Sequence, residues 1–492
     1  MAAARATGVT GRLRWAGFAG SALLAIGGLL AGAKPGPAPA NQAEALWGDG
    51  AGFRLGLAAY LIGLALLGWA WWRLRAEPLR PGWVVATGLL WAAPLLVTAP
   101  LGSRDVYAYA CHGAVWLAGH DPYAVGAAGG GCPWLVEVPS LWHDAPAPYG
   151  PLALLVSAAA VGLARSLATG EPAQLLLAIG GFRLVAVAGA GLAAVFLPRL
   201  ARACGVDPAR ASWLGLVTPL VGVHVVGGAH HDALVAGLIV AGFGLAVAAG
   251  GRARPEPPAV LAGLALGLAV AMKVTALAAL PFAVLLAARS RPVRAGGGVA
   301  LAAVAGFAAL TLGTGLGLGW VGALTNTGAV GQWSSLPTGL GMAVGYLLWG
   351  LGAPGAFDGA VTVAQWLGLA VLAGLSLWLL VRAWQCRAEP AAVIRYAGAV
   401  LAAVVVLGPV VYPWYAVAAL AVLAAATEDR RVRHWLAVAT LVLTALTLPS
   451  GLGIPVLTRL PGAIVIGLLA GWAGWRWLRR RVRPPEPRAP AR

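Results

Sequence analysis

PLGSRDVYAYACHGAVWLAGHDPY, residues 100–123, is the stretch on which the reading of this chain turns. An apolar run ending at Leu101 stops at Gly102. Arg104, Asp105, His112, His120 and Asp121 then follow, interleaved with Tyr107, Tyr109 and Tyr123. A carboxylate just beyond the end of an apolar helix, among aromatic rings, is where chemistry is expected first in a chain that is otherwise hydrocarbon.

The rest of the chain bears out that contrast. Of 492 residues, 60% are hydrophobic and 10% charged, the profile of a polytopic membrane protein rather than a soluble enzyme. The formal charge of +18 sits in short arginine clusters between apolar runs. That arrangement marks cytoplasmic ends and gives no extended basic face for nucleic acid. Only two of the 34 basic residues are lysines, Lys34 and Lys273, so an intramembrane lysine carries more meaning than another arginine. Residues 1–33 read as an uncleaved first helix in preference to a signal peptide, because the apolar run Trp15–Leu30 is long and further helices follow.

Arginine clusters at 5–14, 73–80, 199–210, 252–254, 289–294, 382–395, 430–433 and 476–483, all placed in the cytoplasm, set the parity of the crossings. Asp105 then lies outside. The expected fold is an all-α polytopic membrane domain over residues 1–480, with roughly 14 spans (about 12–15) and a disordered cytoplasmic tail at 481–492. Counting 149–166 as a crossing would put Arg199, Arg202 and Arg210 outside. It is therefore read as an interfacial helix within an extracytoplasmic loop, 102–173. The run 259–288 has cytoplasmic signals at both ends and must be a hairpin with Lys273 at its bend.

Asp105 is the candidate general base, against the alternative of a helix cap or a partner of Arg104. Asp121, before Pro122, is a turn former first and a substrate contact second. The turn Gly227–Asp232 presents His230, His231 and Asp232. Adjacent residues on a helix point about 100° apart, a poor metal fragment, so hydrogen bonding to a sugar or phosphate is the better reading. No metal or other cofactor is expected, although a divalent ion remains open. Lys273, with no obvious carboxylate partner in a neighbouring span, is expected to meet a phosphate supplied from the membrane. Cys111 and Cys132 share the outer loop and either pair or stay free. Trp320, Trp333, Tyr412, Trp414 and Tyr415 mark outer ends of spans, mostly as belt residues.

In chain order, SRDVYAYACHGAVWLAGHDPY, PYGPLALL, TPLVGVHVVGGAHHDALVAG, AMKVTALAALPF and VYPWYAVAAL resemble the actinobacterial polyprenol-phosphomannose-dependent α-1,6-mannosyltransferases, membrane glycosyltransferases of C-type fold. The resemblance covers roughly residues 80–430. It implies an inverting transfer of mannose from polyprenyl-phosphate mannose to a mannan or lipoglycan acceptor, on the extracytoplasmic face of the plasma membrane. Asp105 would be the base, Lys273 and Arg104 would hold the donor phosphate, and His230, His231, Asp232, Tyr107, Asp121 and Tyr149 would line the substrate site. Where the family often shows His-Asn-Asp, this chain has His230-His231-Asp232. One carboxylate and one cation suffice for direct displacement of a phosphate leaving group. The rival readings are transfer of another lipid-phosphate sugar, such as arabinose or glucose, and a secondary transporter or flippase, which would favour polar groups at the midplane.

Overall fold

The computed structural model describes residues 2–37, 50–289 and 291–482. Most of the expected tail therefore lies outside the described residues. Among those described there is no β-strand, only an isolated bridge between Thr447 and Gly453. The chain is an all-α membrane protein. Seven helices are long and apolar enough to cross a membrane, from Gly8–Ala31 to Pro390–Leu407, and five shorter apolar helices accompany them.

Several runs that read as single spans are broken in the structure. Residues 211–226 are apolar enough to read as one span, yet they form the helix Pro208–Gly215 followed by the wide turn Val221–Gly227, with Pro219 interrupting the backbone ladder between them. Residues 412–426 open with the 3-10 turn Pro413–Ala416 before the helix Val417–Ala426. Proline supplies no N–H at those points, so an apolar run does not translate into one continuous rod.

The bundle has two chemically distinct ends. At one, Arg210 donates to the Arg75 carbonyl, Arg289 Nη2 to the Val247 carbonyl at 3.0 Å and Arg395 to the Ala426 carbonyl at 3.3 Å. The helix Asp232–Ala249, about 27 Å long, runs from the opposite end down to this one. It crosses Glu171–Ala203 so closely that a Cβ on Gly237 would stand 2.3 Å from the Gly189 carbonyl oxygen. Small residues at such a crossing let two backbones touch, which is how helices gain packing energy in lipid.

The hairpin is present. Glu256–Met272 ends where Lys273 turns extended at φ −154° and ψ 125°, and a 3-10 turn, Val274–Ala279, leads into Leu280–Ala287. Both arms return to the arginine-rich end, where Gly250 lies against the Leu286 carbonyl and Arg289. Lys273 is thereby carried to the far end, beside the start of Asp232–Ala249.

Residues 102–170 form a layer over that far end. Asp105–Leu117 packs on Pro151–Leu167, so tightly that a Cβ on Gly113 would meet the Ser157 carbonyl oxygen at 2.4 Å. The first half of Glu171–Ala203 supplies Leu175, Ala178, Ile179 and Phe182 to the same apolar cluster. A disulfide, Cys111–Cys132, ties the helix to the loop that follows it, which settles the pairing that the sequence left open.

Candidate active site

Asp105 is the first residue of Asp105–Leu117. Gly102, at φ +72°, turns the chain out of the apolar run, and the Asp105 N–H donates to Ser103 Oγ at 2.9 Å. The carboxylate sits at the positive end of a helix, which favours its charged form. Its side chain is 24% exposed and faces His230, whose Nε2 stands 3.6 Å from Oδ2. Burial by itself would raise the Asp105 carboxyl. A proton shared with His230, the Ser103 hydroxyl and the more distant Lys273 outweigh it and hold the group below the usual carboxylate range. His112, one helical layer away, is pushed down to about 4 by burial and is neutral.

His230 is held from three sides. Its Nδ1 donates to the His224 carbonyl at 2.7 Å, and its ring stacks on Trp414 with centroids 3.8 Å apart. The residue before it, Ala229, has φ +56°, the only positive φ at a non-glycine among the described residues. Such a backbone costs about 1–3 kcal/mol and persists only where its surroundings impose it. Trp414 in turn stacks on Tyr412 at 4.8 Å, so three rings form one wall.

His231 points the other way. It is buried, stacks on Tyr109 at 4.1 Å and makes no hydrogen bond to Asp105. Asp232 accepts a hydrogen bond from Lys273 Nζ at 2.8 Å. The ammonium also lies 3.6 Å from the centre of the Tyr415 ring. The expectation that Lys273 lacks a protein carboxylate is thus corrected. The two residues are 41 apart in sequence and meet only because the hairpin brings its bend to the start of another helix.

Three cavities converge here. The first, about 270 Å³, is lined by Arg104, Asp105, Trp142, Gln332, Tyr412 and Trp414 among others. A small one, about 60 Å³, touches Asp105, His112, Tyr149, Tyr412 and Tyr415. The third, about 330 Å³, has Tyr149, Asp232, Lys273 and Tyr415 at its head and aliphatic walls from Leu369, Leu372, Leu401, Val404 and Val405. Asp105 and Tyr412 are common to the first and second, and Tyr149 and Tyr415 to the second and third.

The remaining candidates fall outside this junction or at its edge. Tyr107 is fully buried, with its hydroxyl on the Ala33 carbonyl, and lines none of the three cavities. Asp121 closes a turn by accepting the Tyr123 N–H at 2.8 Å. Arg104 borders the first cavity, but its two terminal guanidinium nitrogens are engaged by the carbonyls of Lys34, Gly36 and Glu137, which pin the irregular segment before residue 38 to the loop. Among the described residues no group of three His, Cys, Asp or Glu side chains is placed to hold a metal ion. Tyr412, Trp414 and Tyr415, read as belt residues, are walls of the site. Their signal in the sequence was the dense run Tyr412-Pro413-Trp414-Tyr415.

Residues 14–289 match the family model described as alpha-(1->6)-mannopyranosyltransferase, N-terminal domain, and residues 337–476 match the MptB C-terminal domain. The chain belongs to the alpha-(1->6)-mannopyranosyltransferase family. A probable alpha-(1->6)-mannopyranosyltransferase of Mycolicibacterium smegmatis is 33% identical over 84% of this chain and 78% of its own length. Alpha-(1->6)-mannopyranosyltransferase A of Mycobacterium tuberculosis is 33% identical over 86% and 82%. Among solved structures, an archaeal oligosaccharyltransferase from Archaeoglobus fulgidus, in complex with an inhibitory peptide and a dolichol-phosphate, aligns over 75% of this chain and 56% of that one, with 16% identity and a TM-score of 0.38. This mannosyltransferase family membership makes the chain a membrane glycosyltransferase and sets aside the transporter reading.

Proposed function

We propose that this mannosyltransferase moves mannose from polyprenyl-phosphate mannose to the hydroxyl of a mannan or lipoglycan acceptor, in α-1,6 linkage and with inversion, on the extracytoplasmic face of the plasma membrane, with a C-type glycosyltransferase fold. The observation that carries this reading is the shared wall. Asp105 stands between the first cavity, bordered by Arg104, Gln332 and Thr447 among apolar walls, and a small chamber that leads on to a cavity with an ammonium at its head and aliphatic side chains below.

A polyprenyl chain fits the aliphatic cavity by the same physics that keeps lipid tails out of water. Its phosphate would meet Lys273, displacing part of the Asp232 contact. The sugar would occupy the chamber between Tyr149, Tyr412 and Tyr415, whose faces suit the apolar face of a hexose. The acceptor hydroxyl would reach it from the first cavity, past Asp105. Attack forms the new glycosidic bond while the bond from the anomeric carbon to the phosphate oxygen breaks, and Lys273 stabilises the departing charge. Asp105 takes the hydroxyl proton.

Inversion is supported by the carboxylate count. Among the described residues, Asp105 and Asp232 are the only carboxylates lining the three cavities, and Asp232 is engaged by Lys273. A double displacement wants two free carboxylates about 5 Å apart. The extracytoplasmic assignment is supported by the arginines at the opposite end and by the disulfide beside the site, a bond favoured in oxidising compartments.

The test uses membranes carrying the full chain or Asp105→Asn, supplied with polyprenyl-phosphate mannose and a short α-mannoside. Extension by the native protein and a loss of at least about 100-fold in the variant at equal abundance are expected. Transfer from arabinosyl or glucosyl lipid phosphate but not from the mannosyl donor would overturn the substrate assignment.

A further inference from the structure

We propose that His230 is a positioning residue for Asp105 that also receives the proton Asp105 removes, so that the base of this enzyme is an Asp105–His230 pair. The inference rests on the reading of Asp105 as the base.

A backbone carbonyl can only accept a hydrogen bond. With Nδ1 2.7 Å from the His224 carbonyl oxygen, the ring proton is on Nδ1, and in the neutral ring Nε2 carries a lone pair. Nε2 is buried without a hydrogen-bond partner and looks at Asp105 Oδ2 from 3.6 Å. Two acceptors facing each other at that separation leave room, and a need, for one proton between them. Among the described residues no other cation or imidazole stands within 4.0 Å of the Asp105 carboxylate.

The ring is fixed for this task. The His224 carbonyl sets its tautomer, the Ala229 backbone at φ +56° aims it, and Trp414 lies flat against it at 3.8 Å with planes 23° apart. The face of a tryptophan attracts a cation more than a neutral ring, so the stack stabilises the imidazolium that forms during turnover. The acceptor oxygen bonds to the anomeric carbon and its proton passes to Asp105 Oδ2. The electron pair of the broken carbon–oxygen bond leaves on the lipid phosphate. The proton moves on to His230 Nε2, restoring the Asp105 carboxylate, and after the products depart it returns by way of Asp105, which borders the first cavity, to water. The other ionisable groups around the pair are His224 of Val221–Gly227, His231 and Asp232 of the same turn as His230, Tyr109 and His112 of the Asp105 helix, Tyr149 just before Pro151–Leu167, Tyr412 and Tyr415 at the Pro413 turn and Lys273 of the hairpin.

The experiment uses the full chain in lipid nanodiscs with polyprenyl-phosphate mannose and an α-mannoside. His230→Asn keeps an N–H able to reach the His224 carbonyl but cannot accept a proton. Its kcat is expected to fall about 100-fold at about pH 7.5, where an ordinary imidazole is neutral, with the donor KM within about threefold, and the deficit is expected to shrink about tenfold per pH unit above that as hydroxide substitutes for the ring. An equal deficit at every pH, or a raised KM with native kcat, overturns the proposal. Should the variant fail to fold, the native rate in mixtures of light and heavy water decides instead. A bowed dependence, from two protons in motion, supports the pair, and a straight line overturns it. If Asp105→Asn is inactive while His230→Asn behaves as native, Asp105 acts alone. If Asp105→Asn is active, the reading of the base fails with it.

Discussion

The Lys273 ammonium has to be neutralised whether or not a donor is bound, and Asp232 does this in the structure at 2.8 Å with both side chains about one-tenth exposed. Removing one member of a buried pair leaves an uncompensated charge and costs about 3–5 kcal/mol, whereas removing both can be nearly neutral. Lys273→Met is therefore expected to lower the thermal midpoint in detergent sharply, and Lys273→Met with Asp232→Asn to recover most of it without recovering donor affinity. A double variant as unstable as the single one would show that the pair does not anchor the hairpin. One that binds the lipid phosphate normally would remove Lys273 from the donor site. The residue scale is also where sequence reading reached furthest and stopped. Asp105 was legible because a carboxylate directly after the end of an apolar run has few structural reasons to be there. The partner of Lys273 was not legible, since it is reached through the fold of a hairpin rather than through spacing. Tyr107 and Tyr109 look equivalent in the sequence. Two positions apart on one helix they face roughly opposite sides, and only the packed structure says that Tyr107 turns to the Ala33 carbonyl while Tyr109 supports His231.

Among the elements, Asp105–Leu117 bears the most, and its position depends on a covalent tie near its middle. Cys111 and Cys132 close a loop of 21 residues, a constraint worth about 3 kcal/mol in the chain-entropy account. Cys111→Ser is expected to raise hydrogen exchange across residues 105–132 by about two orders of magnitude and to reduce transfer in proportion to the fraction of open loop. Unchanged exchange would mean that packing on Pro151–Leu167 alone holds the helix. The hairpin at Lys273 was readable because arginines flank a run too short for two ordinary spans and too long for one. The broken helices were not, since the strength of an apolar run says nothing about where proline interrupts the hydrogen-bond ladder. Thus Pro208–Gly215 and the wide turn Val221–Gly227 replace one expected span, and that break is what delivers the Gly227–Asp232 turn to the site.

At the scale of the whole molecule, charge and cavities are sorted along one axis, with arginine-bound carbonyls at one end and the three joined cavities at the other. If the aliphatic cavity houses the prenyl chain, Leu401→Trp is expected to raise KM about tenfold for a long-chain donor and far less for a short-chain analogue, because the added ring occupies the space below the phosphate. Equal effects on both donors would place the chain elsewhere. The same axis governs how the enzyme comes into being. His230 and Asp105 belong to the first matched region and Trp414 to the second. A ribosome therefore delivers the carboxylate, the imidazole and the ammonium long before the indole that closes over them. A chain truncated short of residue 414 keeps Asp105, His230, Asp232 and Lys273 and still lacks the surface that joins them. If that stack is needed for transfer, activity appears during biogenesis only once the C-terminal region has docked.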